Sequence, residues 1–354
     1  MTTSRTTPTR RSLLATGGAL GAGALLAACG SGSGSAGTGS SSGSGKDTGG
    51  TEGSGSWSFT DDRNTTVELD KTPENIVAFV GTAAALYDYG VHCVGVFGPT
   101  VTDSGDPDVQ AGELNVDKLT ILGNAWGEFN VEKYAQLAPD LLVTNMFVEN
   151  GLWYVPEESA ETIGGLAPTV GIAVAPAALP STTLLSAIER TAELAASLGA
   201  DLTARQNTEA RTRFEEAAES LRQAARDSGG LTVLACSGDP DLFYASDPAA
   251  SADLAYFKEL GVEIITPDNV EGGFYESLSW ENADKYQTDL IMLDNRSSAL
   301  QPADLADKPT WTRLPAVEAG QVIEWTTEPR YSYAGCAPLL EALAEALRGA
   351  QRVS

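Results

Sequence analysis

Histidine is almost absent from this chain of 354 residues, where His92 stands alone. A metal centre or acid-base site built from several imidazoles is thereby excluded. Cysteine is nearly as scarce: Cys29, Cys93, Cys236 and Cys336 show no CxxC or CxxH spacing, so no thiolate metal motif is present. Outside a Gly/Ser-rich segment no GxSxG occurs, and no serine is spaced to partner His92, which argues against an extracytoplasmic hydrolase such as an esterase. Basic residues number only 22 against 48 acidic ones. That balance opposes nucleic acid and anionic membrane surfaces, and it suits an exported, soluble body or a cationic ligand. Long apolar runs are missing too. The one candidate, Ser12 to Ala28, is short and interrupted by glycines, which makes it marginal for crossing a bilayer.

That N-terminal stretch has Arg10 and Arg11 as a pair and no acidic residue through Ala28. The sequence TRRSLL resembles a twin-arginine export signal, and Leu26-Ala27-Ala28-Cys29 resembles a lipobox whose cysteine is lipidated. Residues 1–28 are therefore set aside as a signal peptide, leaving 19 basic residues against 48 acidic ones and a net charge of −29. Residues 29–56 form a Gly/Ser linker with a random-coil reach of roughly 30 Å. It tethers a body to a membrane without inserting it, so lipid on Cys29 is the only membrane contact expected. Of the remaining cysteines, Cys93 lies in the apolar run Cys93 to Phe97 and reads as a small buried hydrophobe. Cys236 and Cys336 are the candidates for one disulfide in an oxidising compartment.

The body begins with a hairpin signal, two alternating runs around Asp61 to Asn64. Short β-branched runs then alternate with helix-like segments: Ile76 to Val80, Cys93 to Phe97, Leu119 to Leu122, Leu141 to Thr144 and Val170 to Val174. The pattern returns at Leu231 to Ala235, Val262 to Thr266, Leu290 to Leu293 and Val322 to Trp325, and a helix closes the chain from about Ala337 to Arg348. Alternation of this kind predicts two α/β, Rossmann-like lobes, 57–180 and 201–354. Between them, 181–200 places Leu184, Leu185, Ile188, Leu194 and Leu198 at helical spacing before Gly199, and is expected to be the bridging helix. From Asp201 to Ala225 the chain is charged and Ala-rich, with Leu202, Phe214, Ala218 and Leu221 as its buried stripe.

A repeat links the lobes. Asn130-Val131-Glu132 starts a helix and Asp140 precedes Leu141-Leu142-Val143; Ser279-Trp280-Glu281 starts a helix and Asp289 precedes Leu290-Ile291-Met292. Glutamates at helix starts are ordinarily capping or dipole residues. At matching positions on two lobes they also form a pair of outward carboxylates.

These segments resemble a known family. SFTDDRNTTVELDKTPENIV (Ser58 to Val77), then Ala85 to Val91, Val94-Gly95-Val96, Asn130 to Glu132, Pro139 to Leu141 and Leu278 to Asp289, are similar to the ferric-siderophore and cobalamin class of periplasmic substrate-binding proteins of ABC importers. The resemblance covers nearly everything after the linker. It implies two lobes bridged by one rigid helix, a ligand cleft between them, and a permease with its ATPase as partner. It also implies that Glu132 and Glu281 dock into arginine pockets of the permease. A monomer with no cofactor of its own is expected, since iron would arrive already chelated.

Ligands of open α/β sheets lie beyond the carboxyl ends of the strands. There the sequence gathers Trp126, Phe147, Trp153 and Tyr154 in the first lobe, and Tyr244, Tyr275, Arg296, Trp325, Arg330, Tyr331 and Tyr333 in the second. Aromatic rings offer contact area with few rotamers to freeze, and arginine offers charge-assisted donors to chelate oxygens. Phe97 and Phe274 suit core or cleft equally, whereas Trp280 suits the core. A ferric siderophore is the expected ligand; cobalamin or haem in the same fold is the alternative, and a sensory or adhesive lipoprotein is a further one.

Overall fold

The computed structural model describes residues 55–354. The signal-like segment 1–28, Cys29 and nearly all of the linker lie outside the described residues. Among the described residues no helix is long and apolar enough to cross a membrane.

The hairpin read around Asp61 to Asn64 is present. β1 (Trp57–Thr60) pairs antiparallel with β2 (Thr66–Leu69), and Trp57, Phe59 and Val67 turn one face inward. The Asp61 carboxylate fastens it by accepting from the backbone N–H groups of Arg63, Thr65 and Gly171. The first lobe then runs β3 (Ile76–Phe79), α1 (Val80–Asp88), β4 (Gly95–Phe97), β5 (Thr120–Ile121), α2 (Val131–Gln136), β6 (Leu141–Met146), α3 (Ala160–Leu166) and β7 (Thr169–Ala173). Its sheet order is β5-β4-β3-β6-β7 with every neighbour parallel. The central strands β3 and β6 are buried throughout, as expected for parallel strands covered on both faces. Successive strands leave β3 in opposite directions, which opens a crevice at its carboxyl end.

The chain then crosses through α4 (Leu184–Ser197) and α5 (Arg205–Asp227). Thr183 and Ser186 form a reciprocal capping box at the start of α4, and Gly199, at φ +99°, supplies the left-handed turn after its end. Leu184, Ala187, Ile188, Leu194 and Ala195 are buried. Leu185, expected on that face, points outward instead, because it falls off the i, i+3, i+4 stripe that begins at Leu184. α5 starts later than Asp201, whose carboxylate accepts from Thr203 N–H in a turn that precedes the helix and leaves Leu202 exposed.

The second lobe comprises β8 (Thr232–Gly238), β9 (Leu242–Ser246), α6 (Ala252–Glu259), β10 (Glu263–Ile264), β11 (Tyr275–Ser279), β12 (Leu290–Asp294), α7 (Pro302–Leu305), α8 (Pro315–Glu318), β13 (Val322–Trp325) and α9 (Tyr333–Gly349). Its sheet order is β11-β9-β8-β12-β13, with β10 also on β8. β9 and β11, absent from the sequence reading, add an antiparallel edge to the parallel strands. α4 packs against β1, β7 and α1 on one side and α6 on the other, while α5 packs along α9 through Phe214, Ala218 and Leu221. One buried cluster therefore runs from the first sheet through α4 to α6 and α9. Such a close-packed connection resists hinge bending.

The repeat has a structural meaning. Asp140 donates its N–H to Asn75 O, and its carboxylate accepts from Glu74 and Asn75 N–H at the entry to β3. Asp289 likewise donates to Thr232 O and accepts from Thr232 N–H at the entry to β8. Each aspartate ties the central strand of its sheet to the next. Asn130 caps α2 as expected by accepting from Lys133 N–H at 2.8 Å, but the turn at Trp280–Asn282 is only a 3-10 turn that Ser279 does not cap. Glu132 and Glu281 are both exposed at these turns.

Cys93, Cys236 and Cys336 are all buried and free. Cys236 lies in β8, while Cys336, in α9, donates to Arg330 O at 3.3 Å, so the candidate disulfide is not formed.

Candidate ligand-binding site between the lobes

The strand-end rule locates a cavity of about 420 Å³ between the lobes. Phe147, at the end of β6, and Trp153, in the loop beyond it, supply the first-lobe wall. Tyr244 on β9, Tyr275 on β11, Trp325 at the end of β13 and Tyr331 before α9 supply much of the second. Aromatic rings meet there: Phe147 and Trp153 at 4.7 Å between centroids, Tyr244 and Tyr275 at 4.7 Å. Phe274 lines the cavity, whereas Phe97 is core, packed edge-on against Phe129 at 5.2 Å. Trp280 is core as well and donates its indole N–H to Asp239 O.

Arg296 is the cation of this cavity, and its setting explains its orientation. β12 ends in the fully buried Asp294, which accepts from Arg296 N–H at 3.0 Å and from Nη2 at 2.7 Å. The guanidinium also bonds Glu328 through Nη1. Burial works against its charge, but Glu328 and Asp294 outweigh that and hold the pKa above the usual arginine value. Three of the five N–H bonds are spent on these carboxylates, which leaves two for a ligand.

Glu328, in the loop between β13 and α9, also fastens the lobes together. Its Oε2 accepts from Gln110 Nε2 at 2.8 Å and Trp153 Nε1 at 3.0 Å, both in the first lobe. Beside it Asp108 accepts from Ser297 N–H at 3.2 Å across the same seam. A further seam contact pairs Arg330 Nη1 with Asp88 Oδ1 at 2.9 Å.

The structure thus brings Phe147, Trp153, Tyr244, Tyr275, Arg296, Trp325 and Tyr331 to one cavity. Four other sequence-derived candidates lie outside its lining. Trp126, 64% exposed, stands one ring away, edge-on to Trp153 at 4.8 Å and to Tyr154 at 5.0 Å. Tyr154 is buried on Phe79 at 5.3 Å with φ +60°, a left-handed backbone uncommon for a non-glycine residue. Arg330 is committed to Asp88, and Tyr333 turns to α5, where it meets Phe214 at 5.5 Å and Arg211. Sequence reasoning missed Asp239, Ser237, Thr327 and Glu328 in the lining. Glu328 was findable, because it follows β13 and sits two residues before Arg330.

Beneath the cavity, Trp325 Nε1 donates to Asp253 Oδ2 at 2.8 Å, while Oδ1 of the same buried carboxylate has no partner. Burial pushes the Asp253 carboxyl up to about 6, against the opposing effect of the Trp325 bond. Because the folded value is raised, its stabilising effect is full below about pH 4 and is lost as pH rises through about 6. The span corresponds to on the order of 3 kcal/mol. In urea melts, Asp253→Asn should remove that pH 4 to 6 slope; an unchanged slope would show that Asp253 does not titrate there.

Residues 80–329 match the family model described as periplasmic binding protein, and the chain belongs to this family. It is a substrate-binding family that works outside the cytoplasm. The chain is similar to DesE, a ferric-siderophore receptor protein from Streptomyces coelicolor, at 53% identity over 84% of this chain and 100% of that one, with a TM-score of 0.81. It shares the fold of the siderophore periplasmic binding protein from the fuscachelin gene cluster of Thermobifida fusca, at 23% identity, 78% and 97% coverage and TM-score 0.55. It shares it also with the petrobactin-binding protein YclQ from Bacillus subtilis, at 15% identity, 82% and 98% coverage and TM-score 0.62. Among curated proteins none matches the chain.

Proposed function

We propose that this chain is a monomeric lipoprotein that captures a ferric siderophore in the interlobe cavity and delivers it to an ABC permease. The observation that carries the reading is the cavity itself: seven aromatic and arginine residues from both lobes, with two guanidinium N–H bonds left for chelate oxygens, in a chain 53% identical to a ferric-siderophore receptor. Rings cover the organic flanks of a chelate, and the arginine holds its oxygens. Iron is cargo here, chelated before it arrives. Lipid on Cys29 and the linker would keep the body near the membrane.

Delivery is assigned to Glu132 and Glu281, one exposed carboxylate on each lobe at equivalent places in the repeat. A two-point contact tests lobe geometry as well as charge, and it weakens with salt. The double variant Glu132→Ala, Glu281→Ala should bind the ferric chelate with unchanged Kd and lose at least tenfold in permease-dependent uptake. Full uptake by this variant would remove both residues from the docking role.

A further inference from the structure

We propose that the cleft selects its chelate by net charge, admitting cationic and neutral ferric complexes and rejecting polyanionic ones, through the excess of carboxylates in its lining and along its seam. The inference rests on the ferric-chelate reading and narrows it. Arg296 is the sole cation in the cavity lining, which also carries the carboxylates of Asp239 and Glu328. Asp294 accepts from the guanidinium directly, and Asp108 accepts from the N–H of the adjoining Ser297 across the seam. Asp294 and Glu328 thus contact the one guanidinium, and Asp239 in the lining and Asp108 at the seam add two more carboxylates to the cleft.

None of the other contacts cancels this excess. Glu328 receives only neutral donors besides Arg296, namely Gln110 and Trp153. Asp239 accepts from the Tyr244 hydroxyl at 2.6 Å and from backbone N–H groups of Asp241 and Leu242. Burial alone would raise its pKa, but these bonds outweigh it and keep the group ionised. Asp108 accepts from two backbone N–H groups, of Gln110 and Ser297. Outside the lining, Arg330 is neutralised by Asp88, and Lys308 donates to Pro240 O. Counting Lys308 still leaves the carboxylates in excess. Buried charges act through a weaker dielectric than water, so a unit of ligand charge should alter affinity by on the order of tenfold.

The test uses the full-chain protein and the Fe(III) complex of one linear trihydroxamate bearing a terminal amine. Left free, acetylated or succinylated, the amine gives complexes of charge +1, 0 and −1 around the same iron centre, and an Fe(III) triscatecholate supplies 3−. Tryptophan quenching should give affinities falling about tenfold per step, with no binding of the triscatecholate, and about 500 mM salt should compress the spread only in part, because buried charges are screened less than exposed ones. Glu328→Gln and, separately, Asp239→Asn should each compress the spread between the +1 and −1 complexes. The second variant leaves the interlobe bonds of Glu328 in place. Equal affinities across the series, or variants that shift all complexes by the same factor, would overturn charge selection while leaving the ferric-chelate reading intact. Absence of binding by any ferric complex would overturn that reading itself.

Discussion

Arg296→Ala should weaken binding of the ferric ligand by about 100-fold and lower the stability of the empty protein by about 3 to 5 kcal/mol. The two effects share one cause. Asp294 is completely buried and Glu328 nearly so, and both lean on this guanidinium. Taking it away leaves two buried carboxylates without their charge partner, which costs far more than the pair contributes over an apolar replacement. The ligand loses the two N–H donors that the carboxylates leave free. Arg296→Lys should recover part of the stability and little of the affinity, because an ammonium cannot span Asp294, Glu328 and a ligand in one plane. Calorimetric binding and thermal unfolding measured together check this. A variant that binds normally but melts early would make Arg296 a structural residue only.

Asp289→Ala should be the most damaging substitution away from the cavity, at about 3 kcal/mol or more. Its carboxylate is fully buried and gathers Thr232 N–H at 2.9 Å, Val353 N–H at 2.7 Å, Ser354 N–H at 2.9 Å and the hydroxyls of Thr232 and Ser354. It therefore joins β12 to β8 and pins the C-terminal end of the chain. Burial alone would raise its pKa, but the N–H groups of Thr232, Ser354 and Val353 outweigh burial and hold it well below the usual carboxylate range. For a depressed carboxylate the stabilisation is full above about pH 4 and disappears as pH falls through the folded value. The stability gap between wild type and Asp289→Ala should thus be widest near neutrality and close in acid, the reverse of the Asp253 trend. A gap independent of pH would mean that packing, not charge, explains it. Asp140, which has two such bonds and a more open setting, should show the same sign with a smaller effect.

The alternation of apolar runs with helical segments made both sheets legible in the sequence, because parallel strands buried on two faces are written as short continuous apolar stretches. β9 and β11 escaped the same reading. Their burial alternates, and they flank Asp, Pro and Gly turns that look like loop. The repeat of Asp140 and Asp289 was visible as spacing, but its purpose was not, since the partners of Asp289 lie 57 residues upstream and 65 residues downstream. The cleft was half legible. Rings placed after strands reached the cavity when the strand end itself aimed them, as with Phe147 and Trp325. Tyr333 did not, because it begins α9 and helical geometry turns it towards α5. Arg296 was legible from its place just beyond the apolar run Leu290 to Leu293, whereas Glu328, 32 residues further on, acquires its meaning only from the fold that brings Gln110, Trp153 and Arg296 around it.

Capture of a ferric siderophore between the lobes is tested most directly by titrating the full-chain protein with ferric siderophores, their iron-free forms, cobalamin and haem while following tryptophan emission. Trp153 and Trp325 line the cavity and Trp126 meets Trp153 edge-on, so an occupant must perturb them. Saturable, submicromolar quenching by a ferric siderophore, reduced in Arg296→Ala, is the predicted result. Silence towards every ferric chelate, with a clear response to cobalamin or haem, would contradict the account.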